Sequence, residues 1–410
     1  MADRAILHSD ANSFYASVEM ALDPGLKGKA VAVCGSPEER HGIVLAKSDP
    51  AKKAGVKTGM ANWQARQLCP DLIVLPPQYE YYVKYSNMLH EIYSRYTDLI
   101  EPFGMDECWL DVTDCRYTPE ATAELIRESV KDELGITVSV GVSFNKVFAK
   151  LGSDMKKPDA VTVISRENFR EKIWPLPADD MIYIGRATIK KLNYYGIYTI
   201  GDVAGASPDF LRQLFGVNGL SMWNYANGND KSRVSNIDYH APVKSIGHGI
   251  TCVTDLDSAE EVRRVMLELS QDIGHRLRVL NLAATGVQVT VRNKDLTFLQ
   301  FQGKLQMKTQ LPSEMAGEAY RLFRNHYGES CKVRAVTVRA IDLVSADSAE
   351  QLNAFDDFER RDKLNRIQDA VELVRDKYGS RALTYGSLMG DLKMPNDKRE
   401  MVKMPGIMNK

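Results

Sequence analysis

The stretch RAILHSD, residues 4–10, is an apolar strand that ends on a carboxylate, and residues 13–22 restart at once as an amphipathic helix with Asn12 or Ser13 available as N-cap. Few folds accept an acidic side chain where an apolar strand runs out, because a buried carboxylate must be paired, solvated or metal-bound. The following segments narrow the choice. AVAVC (30–34) and GIVLA (42–46) read as strands, DPAKKAG and MANWQARQLC as short helices, and LIVLPP (72–77) as a closing strand. A helix over about 79–96 leads into LIEPF and ECWLDVT, two arms of a hairpin turning at Gly104. A helix over about 119–133 and the strand TVSVGVS (137–143) follow. With residues 24–77 set aside as an insertion, the order is β-α-β-β-α-β, the split βαβ or ferredoxin-like arrangement. Its first and third strands are central neighbours, so Asp10 is expected beside Asp106 and Glu107, which open the third.

At 410 residues the chain exceeds one compact core, and roughly two to four domains are expected. Its net charge of −1 carries no global signal for nucleic acid, so any basic surface must be local. The cysteines at 34, 69, 108, 115, 252 and 331 form no Cys-x-x-Cys pair, which argues against a zinc ribbon or a disulfide framework and for a reducing cytosol. The N-terminus lacks a basic stretch followed by an apolar h-region, and no window approaches the ~18 consecutive apolar residues of a membrane span. A cytoplasmic protein with no membrane partner is expected.

From about 166 to 235 the pattern is mainly helical. MIYIGRATIKKLNYYGIYTIGDVAGA (181–206) is similar to a helix-hairpin-helix, whose Gly-rich turn aims backbone N–H groups at phosphates. Over 243–345, the strands LAATGVQVTVRN, TFLQFQGKL and KVRAVTVRAIDL and helices near 258–279 and 312–327 again run in a βαββαβ-like order. Beyond 345 come QLNAFDDFE, a helix at about 356–378, and a Met-, Pro- and Lys-rich end expected to be disordered.

The constellation that most suggests chemistry is Asp10 with GMDECWLDVT (104–113). Carboxylates crowded at a central strand raise one another's pKa, and a divalent cation resolves the conflict. Oxygen-only ligands suit Mg²⁺, which takes one or two carboxylates and substrate phosphates. A solvated hairpin tip is the plain alternative, weakened by the apolar CWL that follows. SFNKVFAKLGSDMKKP gathers Lys146, Lys150, Lys156 and Lys157, and a lysine there can meet nucleotide phosphates as a point charge. Solvated helix charge is the ordinary role for Lys150 and Lys156. Lys47, Lys52, Lys53 and Lys57 lie in the inserted subdomain, where surface solubility is a fair alternative for each.

Strand-Asp-turn-SFYASVE, the Asp-Glu hairpin, VSVGVSFNKVFAKLGSDMKKP, the hairpin-helix segment with TIGD, and KSIG at 244–247 together resemble, in order, the motifs of Y-family DNA polymerases of the bacterial UmuC and DinB branch. The resemblance runs from about residue 4 to 345. It implies an α+β multidomain, right-handed polymerase: a ferredoxin-like βαββαβ palm at 1–23 and 78–165, small fingers at 24–77, a helical thumb with the helix-hairpin-helix at 166–234, an α/β little finger at 243–345, and a C-terminal extension over 346–410. It implies that Asp10, Asp106 and Glu107, with the backbone carbonyl of Ala11, bind two Mg²⁺ ions, for which Mn²⁺ can substitute. Tyr15 matches the steric gate against a 2′-OH, next to Phe14 at the nucleotide, and Lys157 matches the lysine that holds the incoming triphosphate. Gly185, Arg186 and Lys190 of the thumb and Lys244 and Ser245 of KSIG are the implied DNA contacts. The implied activity is low-fidelity lesion bypass in DNA repair by a monomer in the nucleoid-associated cytoplasm, acting on primer-template DNA and dNTP.

The chain also departs from the family. Asp49 and Lys52 stand where many relatives carry Tyr and Arg as triphosphate ligands, so Lys52 keeps a charge but loses the bidentate fork. Gly104-Met105 replaces Ser-Ile before the acidic pair, and Ala11 replaces a bulkier residue. Gln351-Leu352-Asn353-Ala354-Phe355 is similar to the Gln-Leu-x-Leu-Phe peptide that docks on the bacterial sliding clamp, with Gln351, Leu352 and Phe355 as contacts. A palm-fold nucleotide cyclase and a non-catalytic DNA-binding accessory subunit are the alternatives. The first leaves the hairpin-helix and little finger without a purpose, and the second is expected to have lost one of the three carboxylates.

Overall fold

The structure, a computed structural model, describes residues 4–37, 40, 42–327, 332–349 and 358–395. They form two compact units with a sequence boundary between Ala241 and Pro242. The first begins with β1 (Ile6–Ala11) and α1 (Phe14–Leu22), then an excursion of β2 (Val31–Cys34), β3 (Val44–Lys47), α2 (Asp49–Lys53), α3 (Asn62–Leu68) and β4 (Ile73–Leu75). It continues with α4 (Tyr79–Tyr93), the hairpin of β5 (Ile100–Pro102) and β6 (Glu107–Asp111), α5 (Pro119–Leu134), β7 (Val138–Ser143), α6 (Lys146–Met155) and β8 (Val161–Ile164). The main sheet is ordered β5-β6-β1-β7-β8, and the excursion has its own sheet, β3-β2-β4, over a small core that includes Ala51, Val56, Ala65 and Leu72.

Period-two alternation sorts the central strands. Leu7, Cys108, Leu110, Val140 and Val142 pack in one core with Leu89 and Ile92 of α4 and Ile126 and Val130 of α5. Each such aliphatic side chain contributes about 1.5–3 kcal/mol on burial. Ile6 and Trp109, on the opposite face, meet Ala149 of α6. Helix α6 can approach only because β7 carries a glycine there: a Cβ on Gly141 would lie 1.9 Å from the Ala149 carbonyl and 2.5 Å from the Ser153 nitrogen. Helix α5 is bounded by the Thr118 hydroxyl, which accepts the Ala121 N–H, and by Gly135 at φ 68°.

Three local expectations change. Asp106 lies in the hairpin turn, one residue before β6 begins at Glu107. A fifth strand, β8, pairs parallel with β7, extending the four-stranded arrangement read from the pattern. A parallel pair needs a crossover, and α6 supplies it. Neither Asn12 nor Ser13 caps α1 through its side chain. Ser13 is left-handed at φ 50° without a cap bond, while Asn12 donates to Ser139 Oγ at 2.9 Å and accepts from Thr137 Oγ1 at 3.0 Å, tying β1 to β7.

The remainder of the first unit is helical: α7 (Phe169–Ile173), α8 (Arg186–Tyr194), α9 (Ile200–Gly205), α10 (Pro208–Phe215) and α11 (Val217–Ala226), around Leu192, Ile200, Val203, Leu211 and Met222. Gly196, at φ 76°, makes the turn between α8 and α9. Thr199 and Asp202 cap α9 reciprocally: Thr199 Oγ1 accepts from the Asp202 N–H at 3.0 Å, and Asp202 Oδ2 accepts from the Thr199 N–H at 2.9 Å.

The second unit contains β9 (Ile246–Leu256), α12 (Ala259–Val279), β10 (Leu282–Asn293), β11 (Phe298–Thr309), α13 (Pro312–His326), β12 (Val333–Ser345) and α14 (Phe358–Tyr378). Its βαββαβ order builds a sheet β11-β10-β12-β9, all antiparallel. The segment after Tyr378, expected to be disordered, is instead anchored as far as residue 395. Arg264 donates to the Ser387 and Met389 carbonyls at 2.7 and 2.9 Å, and Lys393 bridges Asp257 and Glu261 at 3.0 and 2.9 Å. Contacts to backbone carbonyls leave no trace in composition, which is why the sequence pattern missed them. The expected clamp contacts Gln351, Leu352 and Phe355 lie outside the described residues. Among the described residues, no helix is long and apolar enough to cross a membrane.

Candidate active site

The strand register places Asp10 directly opposite Glu107, and the Ala11 N–H donates to the Asp106 carbonyl at 2.9 Å. Residues from positions 10, 11, 106 and 107 therefore meet at one end of the central strand pair. Asp10 is 7% exposed. Burial, with the nearby charge of Glu107, pushes its carboxyl up to about 6 against the opposing pull of Lys157. Asp106 also rises to about 6, through burial and then repulsion from Asp10 and Glu107. Burial works the same way on Glu107, but contacts with His8 and Lys150 outweigh it and hold that carboxyl down to about 2.

Lysines occupy the space between these acids. Lys157 Nζ donates to Asp10 Oδ2 at 2.7 Å and pairs with Asp154 at 2.8 Å, and Lys150 pairs with Glu107. Burial opposes the charge on Lys157, yet Asp10 and Asp154 prevail and raise its pKa. Among the described residues, no three His, Cys, Asp or Glu side chains form a ready-made metal cage. The donor chemistry nevertheless fits a hard divalent cation: buried, mutually repelling carboxylate oxygens with two of the three held partly protonatable near neutral pH.

Tyr15 lies on α1 beside this end of the strands. Its ring stacks on Tyr82 at 4.3 Å and 12°, meets Tyr79 edge-on, and its hydroxyl donates to Met105 Sδ at 3.6 Å. Tyr82 is itself pinned by a 2.5 Å hydrogen bond to buried Glu19. Phe14 is turned into the core at 3% exposure, so Tyr15 is the ring of the pair that remains partly accessible. Lys52 is exposed on α2, and Asp49 is exposed in the first turn of that helix, where negative charge is favoured.

Two roles at the site escaped the sequence reading. Lys150, read as one of four lysines that could meet nucleotide phosphates with solvated helix charge as its alternative, is a partner of Glu107. His8, fully buried, has Nδ1 2.8 Å from Ser153 Oγ and Nε2 3.4 Å from Glu107 Oε2. Burial pushes its imidazole down to about 4. The i, i+4 spacing of Lys146 and Lys150 was the available signal, since it places both on one face of α6. Lys146 pairs with Glu101 at 2.7 Å and lies over the Trp109 ring at 4.5 Å.

Of the expected DNA contacts, Gly185, Arg186 and Lys190 are exposed at the start and along one side of α8, and exposed Lys244 with half-buried Ser245 precedes β9. The sequence reading did not single out the sheet face of the second unit. Val287, Val289, Val336 and Val338 are buried in its core, while the intervening positions bring Gln288, Thr290 and Arg292 together with Gln300, Gln302, Thr337 and Arg339. None of these seven is acidic.

A family model described as the impB/mucB/samB family matches residues 9–154, and its C-terminal domain model matches residues 243–354. The chain belongs to the impB/mucB/samB family. It is 46% identical to the DNA polymerase IV of Acetivibrio thermocellus, across 95% of this chain and 98% of that protein. It is 37% identical to DNA polymerase IV 1 of Bacillus subtilis, across 94% and 93%. Its fold matches a Y-family DNA polymerase chimera of Dbh and Dpo4 with a TM-score of 0.73, at 24% identity, covering 83% of this chain and 99% of the other. The Y-family resemblance carried by the sequence motifs is therefore borne out, as is the α+β right-handed polymerase fold.

Proposed function

We propose that this chain, a DNA-directed DNA polymerase, extends a primer by template-directed addition of dNMP at the site built from Asp10, Asp106 and Glu107. The observation that supports this most directly is the pairing of Asp10 with Glu107 beside Asp106, in a chain whose relatives bear the name DNA polymerase IV. The residue boundaries of palm, fingers, thumb and little finger read from the sequence are retained in this proposal.

Asp10, Asp106, Glu107 and the Ala11 carbonyl would hold the divalent ions, two Mg²⁺ in this reading. When bound, the ions supply Lewis-acid stabilisation of the entering and leaving oxygens of phosphoryl transfer. The other roles belong to the chain. Lys157 moves from Asp10 to the triphosphate, and Lys52 adds charge from the subdomain. Tyr15, braced by Tyr82 and Tyr79, leaves no room for a 2′-OH, with Phe14 packing behind it. Arg186, Lys190 and the Gly185 backbone hold phosphates of the duplex, as do Lys244 and Ser245, without reading bases. The α9 N-terminus does not share that task, because the N–H groups of Ile200, Gly201 and Asp202 already donate to the Leu176 carbonyl, the Trp174 carbonyl and Thr199 Oγ1. The polar sheet face of the second unit around Gln288, Thr290, Arg292 and Arg339 suits contact with a polyanion.

Lesion bypass in the cytoplasm by a monomer docked on the sliding clamp through Gln351, Leu352 and Phe355 completes the reading. A clamp pull-down tests the last step, since Leu352→Ala with Phe355→Ala should reduce capture. Primer extension with Mg²⁺ tests the core of it: Asp106→Ala and Glu107→Ala should abolish extension while primer-template binding persists. Near-normal extension by either variant overturns the assignment. Turnover of nucleotide without DNA would instead indicate a cyclase.

A further inference from the structure

Helix α1 buries Phe14, Ala16, Val18 and Glu19, an acid among apolar neighbours. Glu19 Oε1 accepts the Tyr82 hydroxyl at 2.5 Å, and its Oε2 accepts Gln78 Nε2 at 2.7 Å. Both donors are neutral. A buried acid with no cation beside it costs stability that an apolar side chain of similar volume would not. The phosphoryl-transfer chemistry proposed above gives Glu19 no task, so the reason for keeping it lies in what it holds.

Glu19 follows Tyr15 by four residues, so the two share a face of α1. Tyr82 of α4 spans that turn: its ring stacks on Tyr15 with 4.3 Å between centroids and 12° between planes, and its hydroxyl ends on Glu19. The Tyr82 ring is thus fixed at both ends by one helix, the helix that carries the sugar gate. Gln78 adds a second tie, since its side chain bonds Glu19 while its carbonyl accepts the Tyr82 N–H at 3.3 Å. Stacking alone is less exacting, because offset aromatic pairs occur over a range of lateral positions. Excluding a single 2′ oxygen requires the ring edge to be held within about 0.5 Å.

We propose that Glu19 is a positioning residue for sugar selection: through the Tyr82 hydroxyl it fixes the ring on which Tyr15 rests, and so sets how closely Tyr15 approaches the 2′ position of the incoming nucleotide. The role rests on the reading of Tyr15 as the gate.

The test uses the full chain and single-nucleotide insertion with matched dNTP and rNTP. Glu19→Met keeps the bulk of the side chain and removes both acceptors, Tyr82→Phe keeps the ring and removes the hydroxyl, and Glu19→Gln keeps an oxygen for Tyr82. Tyr93→Phe is the control, a buried tyrosine about three turns along α4 whose hydroxyl shares a 2.9 Å hydrogen bond with Ser9 Oγ instead. Loss of the bond to the carboxyl group predicts about tenfold lower discrimination, as the ratio of kcat/KM for dNTP over rNTP, in Glu19→Met and in Tyr82→Phe. The change should come from faster ribonucleotide insertion, with kcat/KM for dNTP within about twofold of the parent protein. The double variant should lose no more than either single one, because both remove the same contact. Glu19→Gln and Tyr93→Phe should discriminate as the parent does. Parent-like discrimination in Glu19→Met, losses that multiply in the double variant, or an equal loss in Tyr93→Phe overturns the proposal. Discrimination kept in Tyr15→Ala removes the gate itself, whereas discrimination lost there but kept in Glu19→Met removes only the role of Glu19.

Discussion

Lys157 Nζ sits 2.7 Å from Asp10 Oδ2 and 2.8 Å from Asp154 Oδ1, a cation already placed between acids that the proposed chemistry assigns to metal. The ammonium partly neutralises the acidic cluster in the DNA-free protein, and a divalent ion must compete with it. Because binding only to the folded state stabilises that state, Mg²⁺ at ten times its Kd should add about 1.4 kcal/mol of stability. Asp10→Asn and Asp106→Asn should each remove most of this gain. Thermal denaturation with and without Mg²⁺ reads the effect, and equal gains in parent and variants would exclude both residues as ligands.

The raised carboxyl of Asp106 gives a prediction of opposite sign for activity and stability. Its pKa is about 6 in the fold against 3.8 for an unperturbed aspartate. The folded state therefore holds the proton more tightly, and stability falls as pH rises from about 4 to about 6 and remains lower above that window. Asp106→Asn removes this cost. The metal-free variant should be more stable than the parent by on the order of 1–3 kcal/mol at pH 7.5, with the difference vanishing below about pH 4, while primer extension is lost. Denaturant titrations across pH check it, and a variant less stable at neutral pH would show that Asp106 is not under repulsion.

The meeting of Asp10 with Glu107 was legible in the sequence because strand periodicity and the βαββαβ order leave one arrangement for the central strands. Tyr15 was legible through its motif, but its bracing by Tyr82 was not, since residues 15 and 82 are joined only by packing. The pairing of Lys150 with Glu107 was not legible for a related reason. Spacing alone cannot tell a solvated helix lysine from one turned toward a sheet, and here the deciding feature lies on another strand, at Gly141. The polar face of the second unit's sheet was not legible because charge counted along a segment averages over both faces.

That glycine yields a prediction of its own. A methyl group on Gly141 would stand 1.9 Å from the Ala149 carbonyl, a distance no packing tolerates, so α6 must shift away from β7. Gly141→Ala should lose about 1–3 kcal/mol of stability, as overpacked cores do. It should also lower kcat, because α6 carries Lys150, the partner of Glu107. Gly317→Ala is the control: it lies within α13 with no atom within 4 Å of an added Cβ, and should be neutral or gain up to about 1 kcal/mol. Equal melting of the parent and Gly141→Ala would mean that α6 does not pack this closely.

Tyr15 offers the cleanest separation of shape from chemistry. Its ring is fixed by stacking on Tyr82 at 4.3 Å, while its hydroxyl makes only a 3.6 Å contact to the Met105 sulfur. If the ring edge excludes a 2′-OH, Tyr15→Phe should retain sugar discrimination and Tyr15→Ala should lose it, by about 100-fold or 2.7 kcal/mol in the ratio of kcat/KM for dNTP over rNTP. The loss should come mainly from faster ribonucleotide insertion, since removing a clash helps the rejected substrate more than it harms the accepted one. Tyr15→Ala also exposes part of the Tyr82 ring, so its deoxynucleotide kcat/KM should fall modestly as the pocket floor loosens. Single-nucleotide insertion with matched dNTP and rNTP measures both ratios. Discrimination lost equally in Tyr15→Phe would shift the basis of selection from the ring to the hydroxyl, and discrimination kept in Tyr15→Ala would locate the gate elsewhere.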